Sequence, residues 1–249
     1  MQSHLSTFPA PVSCTEEECS IRQQQAISLS NSGVEWMEAG EHVAAIEALS
    51  QALKMCRPIM HEAEDYAAPM VTSFDACMEA SRTAASPQRY ARLTCGERYL
   101  YQQAVRIPWN VGANYRACVM VSTMVTFNLA LANQLASAKK MAEPADAQSM
   151  LRKAVKLYEL AFSMQQEEQF DGNTLFTLAT VNNLGLIHSQ LNDRRAANQC
   201  FEYLLSTLMY WNNATTAASD GRPPNAGEFF DGIFRNAALI QNSESAPAA

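Results

Sequence analysis

Apolar residues recur at helical spacing over three stretches of the chain, 26–59, 123–168 and 178–211. Within each, positions three, four and seven apart carry aliphatic or aromatic side chains and the remaining positions are polar. This is the pattern of amphipathic helices with one face turned to a core. Each stretch is long enough for two helices and has a break near its middle: Gly40-Glu41, then Pro144 within SAKKMAEPADAQ, then Asn192-Asp193. The pattern predicts three helical hairpins.

Small residues relate the hairpins to one another. Gly33, Ala45 and Ala52 stand 12 and then 7 positions apart, and Gly185, Ala197 and Leu204 repeat those separations. Ala130, Ala154 and Ala161 give 24 and 7, and the excess of 12 is assigned to SAKKMAEPADAQ as a lengthened inter-helix loop. A small residue on the first helix (Gly33, Ala130, Gly185) lets the second approach closely, and small residues on the second (Ala45, Ala154, Ala197) receive its neighbour. Larger side chains are expected to fill the seams: Leu29, Trp36, Ile46, Leu49 and Leu53, then Leu129, Val155, Tyr158 and Phe162, then Val181, Leu184, Phe201 and Leu205.

These residues resemble the tetratricopeptide repeat (TPR) family. The first stretch is similar to a nearly complete repeat, with Gly33, Trp36, Gly40-Glu41, Ala45-Ile46, Ala52-Leu53, and Pro58 after the second helix. The third has Asn183-Leu184-Gly185, Asn192-Asp193, Ala197, Phe201 and Leu204-Leu205. It departs from the family at Leu204, where alanine is usual, and at His188, where an aromatic is usual. The layout also resembles a set of uncharacterised TPR-like proteins from diatoms, which implies no activity. The resemblance implies an all-α fold, a TPR-like helical-hairpin superhelix (α-α solenoid), and a protein-binding role.

The expected organisation is a helical domain over 16–242 between a disordered segment, 1–15, and a disordered tail, 243–249. A long insert, 60–122, follows the first repeat. Within it Met70–Ala84 reads as helix up to Ser86-Pro87, and Arg98–Pro108 (RYLYQQAVRIP), aromatic and β-branched, reads as extended chain lying across the helices. Arg116–Ser122 leads into the second repeat's first helix. The apolar run Cys118–Phe127 suits either deep core or a self-association interface. After a turn-rich linker, 228–240 forms an amphipathic capping helix (Phe229, Ile233, Phe234, Ala237, Ile240) for the open end of the stack.

In such a stack the first helices line the concave face. Their groove-facing residues are Ile27, Ser30, Val34 and Met37, then Met124, Phe127, Leu131 and Gln134, then Ala179, Asn182, Leu186 and Ser189. TPR domains that hold a chaperone's C-terminal carboxylate use a lysine- and arginine-rich clamp, because a carboxylate needs charge-assisted partners. These positions carry neither. The expected ligand is an apolar peptide or helix, and the chain's own Arg98–Pro108 segment fits equally. Asn31, Asn128 and Asn183 recur at one place in all three repeats. They suit the repeat's own helix-to-helix hydrogen bonds or a ladder gripping a ligand's backbone, and both readings stand.

Composition removes several function classes. The net charge is −7 and the densest basic spots are Lys139–Lys140 and Arg194–Arg195, so no nucleic-acid partner is expected. The N-terminus lacks a leader pattern and no run of about 18 apolar residues appears, so the expected setting is cytoplasmic or nuclear, with no membrane. Seven scattered cysteines (14, 19, 56, 77, 95, 118, 200) read as small apolar residues in a reduced compartment. No two of His4, His42, His61 and His188 have ligand spacing, and no Gly-rich phosphate loop occurs. No metal or cofactor is therefore expected. Cys200 and His188 are the best nucleophile and base by type, on opposite helices of one hairpin where packing explains both. The expectation is a non-enzymatic protein–protein interaction scaffold. The alternative is a self-associating homo-oligomer subunit whose own insert fills the groove.

Overall fold

The computed structural model describes residues 16–62, 72–84, 94–95, 98–112, 114–140, 143–167, 173–217 and 227–244, and these are almost wholly helical. The helices are α1 (Glu16–Glu38), α2 (His42–Glu62), α3 (Phe74–Ala84), α4 (Tyr115–Lys139), α5 (Pro144–Glu167), α6 (Thr174–Gln190), α7 (Arg194–Ala217) and α8 (Gly227–Glu244). Two short strands, β1 (Thr94–Cys95) and β2 (Arg98–Tyr99), pair antiparallel with Thr94 opposite Tyr99. The all-α expectation holds. The predicted termini at 1–15, residues 245–249, and Ser86-Pro87 lie outside the described residues, while α8 continues four residues beyond the predicted 240.

Hairpins α1–α2 and α6–α7 close in the same way. Gly40 and Asn192 take left-handed φ values of 81° and 61°, conformations that glycine and asparagine tolerate best. The next N–H in each case returns to a carbonyl five residues back, Glu41 to Trp36 at 2.8 Å and Asp193 to His188 at 2.9 Å. Asp193 Oδ1 then caps α7 by accepting from the Ala196 N–H, and Asn114 Oδ1 caps α4 by accepting from the Ala117 N–H.

Close approach follows the small residues. A Cβ on Gly33 would stand 2.6 Å from Leu49 Cγ, and one on Gly185 would stand 2.9 Å from Phe201 Cζ and 3.0 Å from Cys200 Cβ. Ala45, Ala52, Ala130, Ala154, Ala161 and Ala197 are likewise buried. Successive hairpins are neighbours in chain order: α2 packs on α1 and α4, α5 on α4 and α6, and α7 on α6 and α8.

Four sequence-based details need correction. The lengthened loop assigned to SAKKMAEPADAQ is absent, because only residues 140–143 separate α4 from α5. The extra residues extend both helices by a turn or more, an outcome that Pro144 permits as the first residue of α5. The insert ends earlier than 122, since α4 already begins at Tyr115. Pro58 lies within α2, which continues to Glu62. Trp36 does not fill the seam and is 46 % exposed. The buried stripe of α1 runs through Ala26, Ile27, Ser30, Gly33, Val34 and Met37, and Trp36 falls about 100° away from Met37 around the helix.

Helices α4 and α6 form the centre. Every residue from Ala117 to Ser137 of α4 and from Leu175 to Ile187 of α6 is buried. They are covered on all sides, so their hydroxyls turn back onto their own helix: Ser122 donates to Cys118 O, Thr123 to Val119 O, Thr126 to Ser122 O and Thr180 to Phe176 O. The Cys118–Phe127 run is deep core. Although α4 is long and apolar enough to cross a membrane by length and composition, its most apolar window is entirely buried within this fold.

The insert supplies the remaining cover. From it, α3 packs on α6 with the Phe74 and Phe176 rings 4.7 Å apart. Residues 100–112 contain no helix and run through the interior, with Tyr101, Val105, Ile107 and Val111 in the core.

Candidate functional site

A chain that crosses a helical core without forming a helix leaves its N–H and C=O groups without internal partners, and buried backbone groups must find them elsewhere. At four residues of 98–112 the partners are asparagine side chains. Asn31 Oδ1 accepts from the Ile107 N–H and its Nδ2 donates to the Ile107 carbonyl, both at 2.9 Å. Asn128 does the same at Val105, both at 2.8 Å. Asn183 does so at Tyr101, at 3.0 and 2.8 Å. Asn236, on α8, accepts from the Tyr99 N–H at 2.8 Å and donates to the Tyr99 carbonyl at 2.6 Å.

The four rungs share one geometry because a carboxamide presents one acceptor and one donor side by side, matching the N–H and C=O of one extended residue. Residues 99, 101, 105 and 107 are all of one parity, so an extended backbone offers them on the same side. The ladder runs 31, 128, 183, 236 along the helices while the segment runs 107, 105, 101, 99. The segment therefore travels opposite to the order of the hairpins. At its far end Gln23 Nε2 donates to the Gly112 carbonyl at 2.6 Å.

A second tier locks the rungs. Asn183 Nδ2 also donates to Tyr158 Oη at 3.1 Å, and that hydroxyl donates to Gln134 Oε1 at 3.0 Å. Burial holds the Tyr158 hydroxyl far above its ordinary titration range, so it stays protonated as a donor. Asn182 Nδ2 reaches both Tyr99 O and Asn183 Oδ1, and its Oδ1 accepts from Asn236 Nδ2 at 2.7 Å. The third hairpin and α8 are thus joined across the segment.

Charged and hydroxyl groups hold the segment's edges. Arg106 meets Glu38 at 2.9 Å and Glu35 at 3.5 Å, and its backbone N–H donates to Ser81 Oγ on α3. Arg98 donates to Ser189 Oγ and lies over the Phe201 ring, 6.0 Å from its centroid.

The predicted groove positions lie beneath this segment or deeper. Ile27, Val34, Met37, Met124, Phe127, Leu131, Gln134, Asn182 and Leu186 are all buried, as are Ser30 and Ala179. Phe127 lies 6.2 Å from the Tyr101 ring, Asn182 holds Tyr99, and Ser189 takes Arg98. These residues line no open groove. All three recurring asparagines bond the backbone of the chain's own segment, and Asn183 in addition bonds helix to helix, to Tyr158 on α5. Asn236, Gln23 and Ser81 escaped the sequence reading because no repeat relates them to the other three rungs.

Several titratable groups are buried or partly buried. Burial beside Glu159 and Asp193 pushes the Cys200 thiol up to about 11, and His188 Nδ1 stands 3.6 Å from Asp193. A protonated thiol is a poor nucleophile. Burial also raises Cys56 to about 11 and Cys118 to about 12. Among the described residues no group of three or more His, Cys, Asp or Glu could hold a metal ion. Asp75 Oδ1 accepts from the N–H groups of Leu175 and Phe176 at the start of α6, tying α3 to that helix. Burial raises its carboxyl to about 6, against the opposing pull of those N–H bonds.

The fold and the ladder together define an all-α protein of neighbouring helical hairpins that holds one extended segment by its backbone. No family model, curated protein or solved structure matches the chain.

Proposed function

We propose that the chain is a non-enzymatic protein–protein interaction scaffold, a TPR-like α-α solenoid that grips an extended apolar peptide along its concave face. One observation carries this reading: four asparagines each bond both the N–H and the C=O of one residue in an extended segment. Such bonds do not depend on side-chain identity. Backbone bonds of this kind supply affinity while neighbouring pockets select side chains. Each rung makes two bonds, and each bond contributes about 1 kcal/mol net. Segment 98–112 occupies the groove as an internal ligand.

The test is a displayed library of extended peptides, screened against the full chain and against Asn31→Ala and Asn128→Ala variants with intact far-UV circular dichroism. Peptides that bind the wild type and fail on the ladder variants support the reading. If no peptide is recovered, or recovered peptides ignore both substitutions, the reading is lost.

A second reading is favoured by the burial of Tyr101, Val105 and Ile107: a self-associating structural subunit whose groove stays filled. It predicts that the amides of 99, 101, 105 and 107 exchange only through global unfolding, whatever peptide is added, and that sedimentation shifts with concentration.

A further inference from the structure

Resting on that reading, we infer that segment 98–112 is an autoinhibitory strap, exchangeable for a partner peptide that copies its anchor pattern. The pattern is a basic residue followed by aromatic, any, aromatic, then after three residues β-branched, basic, β-branched and proline.

The first argument is the nature of the rungs. They hold backbone, so the slot accepts any chain able to lie extended over the hairpins in the strap's direction. An internal segment folded as a helix would satisfy its own backbone and need no buried asparagines. Here four helices, α1, α4, α6 and α8, each place one to serve a chain that is not helical. The slot is built for extended backbone as such.

The second argument is where selectivity lies. Tyr101, Val105 and Ile107 fill apolar sites, so a partner needs an aromatic and two β-branched residues in the same register. Charge is read at two places. Arg106 meets Glu35 and Glu38, and Arg98 meets the Ser189 hydroxyl and the Phe201 ring. Both carboxylates are partly exposed and the chain as a whole carries −7. A peptide basic at these two positions is favoured, and an acidic one is repelled at Glu35 and Glu38.

The third argument is energetic. The strap's side chains belong to the core, so the slot is not left empty at equilibrium and exchange is replacement. Only Ala113 and the cap residue Asn114 separate the strap from α4, so the tether keeps it close to its own slot. A tethered competitor at an effective concentration on the order of millimolar masks a free peptide's affinity in proportion. Weakening the strap without touching the slot must therefore unmask the slot.

The experiment titrates a fluorescein-labelled peptide of residues 98–112 into the full chain and follows anisotropy. In the chain, Val105→Pro deletes the N–H that Asn128 accepts, and Arg106→Glu turns both ion pairs into repulsions. Each change lies on the strap and leaves every groove residue in place. Both variants are expected to bind the peptide about tenfold or more tighter than wild type. A peptide carrying Val105→Pro or Arg106→Glu is expected to bind the same variant chains at least about tenfold more weakly than the parent peptide. If Val105→Pro fails to fold, Arg106→Glu decides alone, because its side chain is at the surface. Folded Arg106→Glu chain that binds the peptide no tighter than wild type overturns the strap, while library peptides still binding through the ladder would leave the scaffold reading intact. Loss of all peptide binding, library included, overturns both.

Discussion

Asn128 carries the energetics of a single rung. It is fully buried on α4, and its amide is the partner shown for both the N–H and the C=O of Val105. Asn128→Ala strands two buried backbone groups, each costing about 1–3 kcal/mol when unmatched. We expect urea unfolding to show a loss of about 3 kcal/mol, and a loss under 1 kcal/mol would mean that water replaces the amide at little expense. Asp75 makes the opposite kind of prediction. Its folded-state pKa of about 6 lies above the ordinary carboxylate value, so the folded state holds the proton more tightly than the unfolded chain. The ionised form therefore costs stability. This cost grows as pH rises from about 4 through 6 and is complete above that. Asp75→Asn keeps an oxygen to accept from Leu175 and Phe176 and removes the charge. It should stabilise the protein at pH 7.5 by about 1–3 kcal/mol and lose that advantage near pH 4. Equal unfolding midpoints at pH 7.5 would contradict this.

At the scale of elements, the hairpin turns and the close helix contacts were legible in the sequence. Gly40 and Asn192, and Gly33 and Gly185, are local requirements of backbone sterics and helix spacing, and few residue types meet them. Gly185→Ala puts a methyl group against the Phe201 ring and Cys200 Cβ. It should cost about 1–3 kcal/mol in thermal or urea unfolding, and a neutral result would show that Phe201 can swing aside. Legibility failed where length was exchanged between helix and loop. Residues near Pro144 suit a loop by composition, yet proline at the first position of α5 lets the helix begin there. The docking of α8 was only partly readable. Its apolar stripe marks it as a helix seeking cover, but besides α7 it packs on the Tyr99 ring, against which Gly232 lies too closely to accept a Cβ. Gly232→Val should lift α8 and break the Asn236 rung, seen as faster proteolysis around residues 227–244 while α1–α7 keep their helical signal. Unchanged cleavage would show that α8 is held by α7 alone.

Over the whole molecule the segment changes how stability is distributed. Stacked hairpins that touch only their neighbours unfold in a nearly one-dimensional way and can melt in parts. Here one strand of chain bonds to α1, α4, α6 and α8 at once, so losing one rung weakens the contact that ties distant hairpins together. Unfolding is expected as a single transition, coincident by far-UV circular dichroism and by tryptophan fluorescence. Asn31→Ala and Asn183→Ala, at different hairpins, should each shift that one transition. Two resolved transitions would show that the segment does not couple the stack.

The sequence by itself determined the hairpins, their turns and their tight contacts, because each involves residues of two consecutive helices and the short turn that joins them. It also marked Asn31, Asn128 and Asn183 as equivalent and 98–108 as extended chain. Only the tertiary structure joined these two facts. Val105 and Asn128 are close in sequence, but Ile107 meets Asn31, Tyr101 meets Asn183 and Tyr99 meets Asn236 across long spans of chain. A carboxamide pairs with any residue's backbone, so nothing in the side chains of 98–108 encodes which asparagine they meet. That pairing is decided by the stacking of the hairpins, which sets the rungs at the spacing of an extended strand.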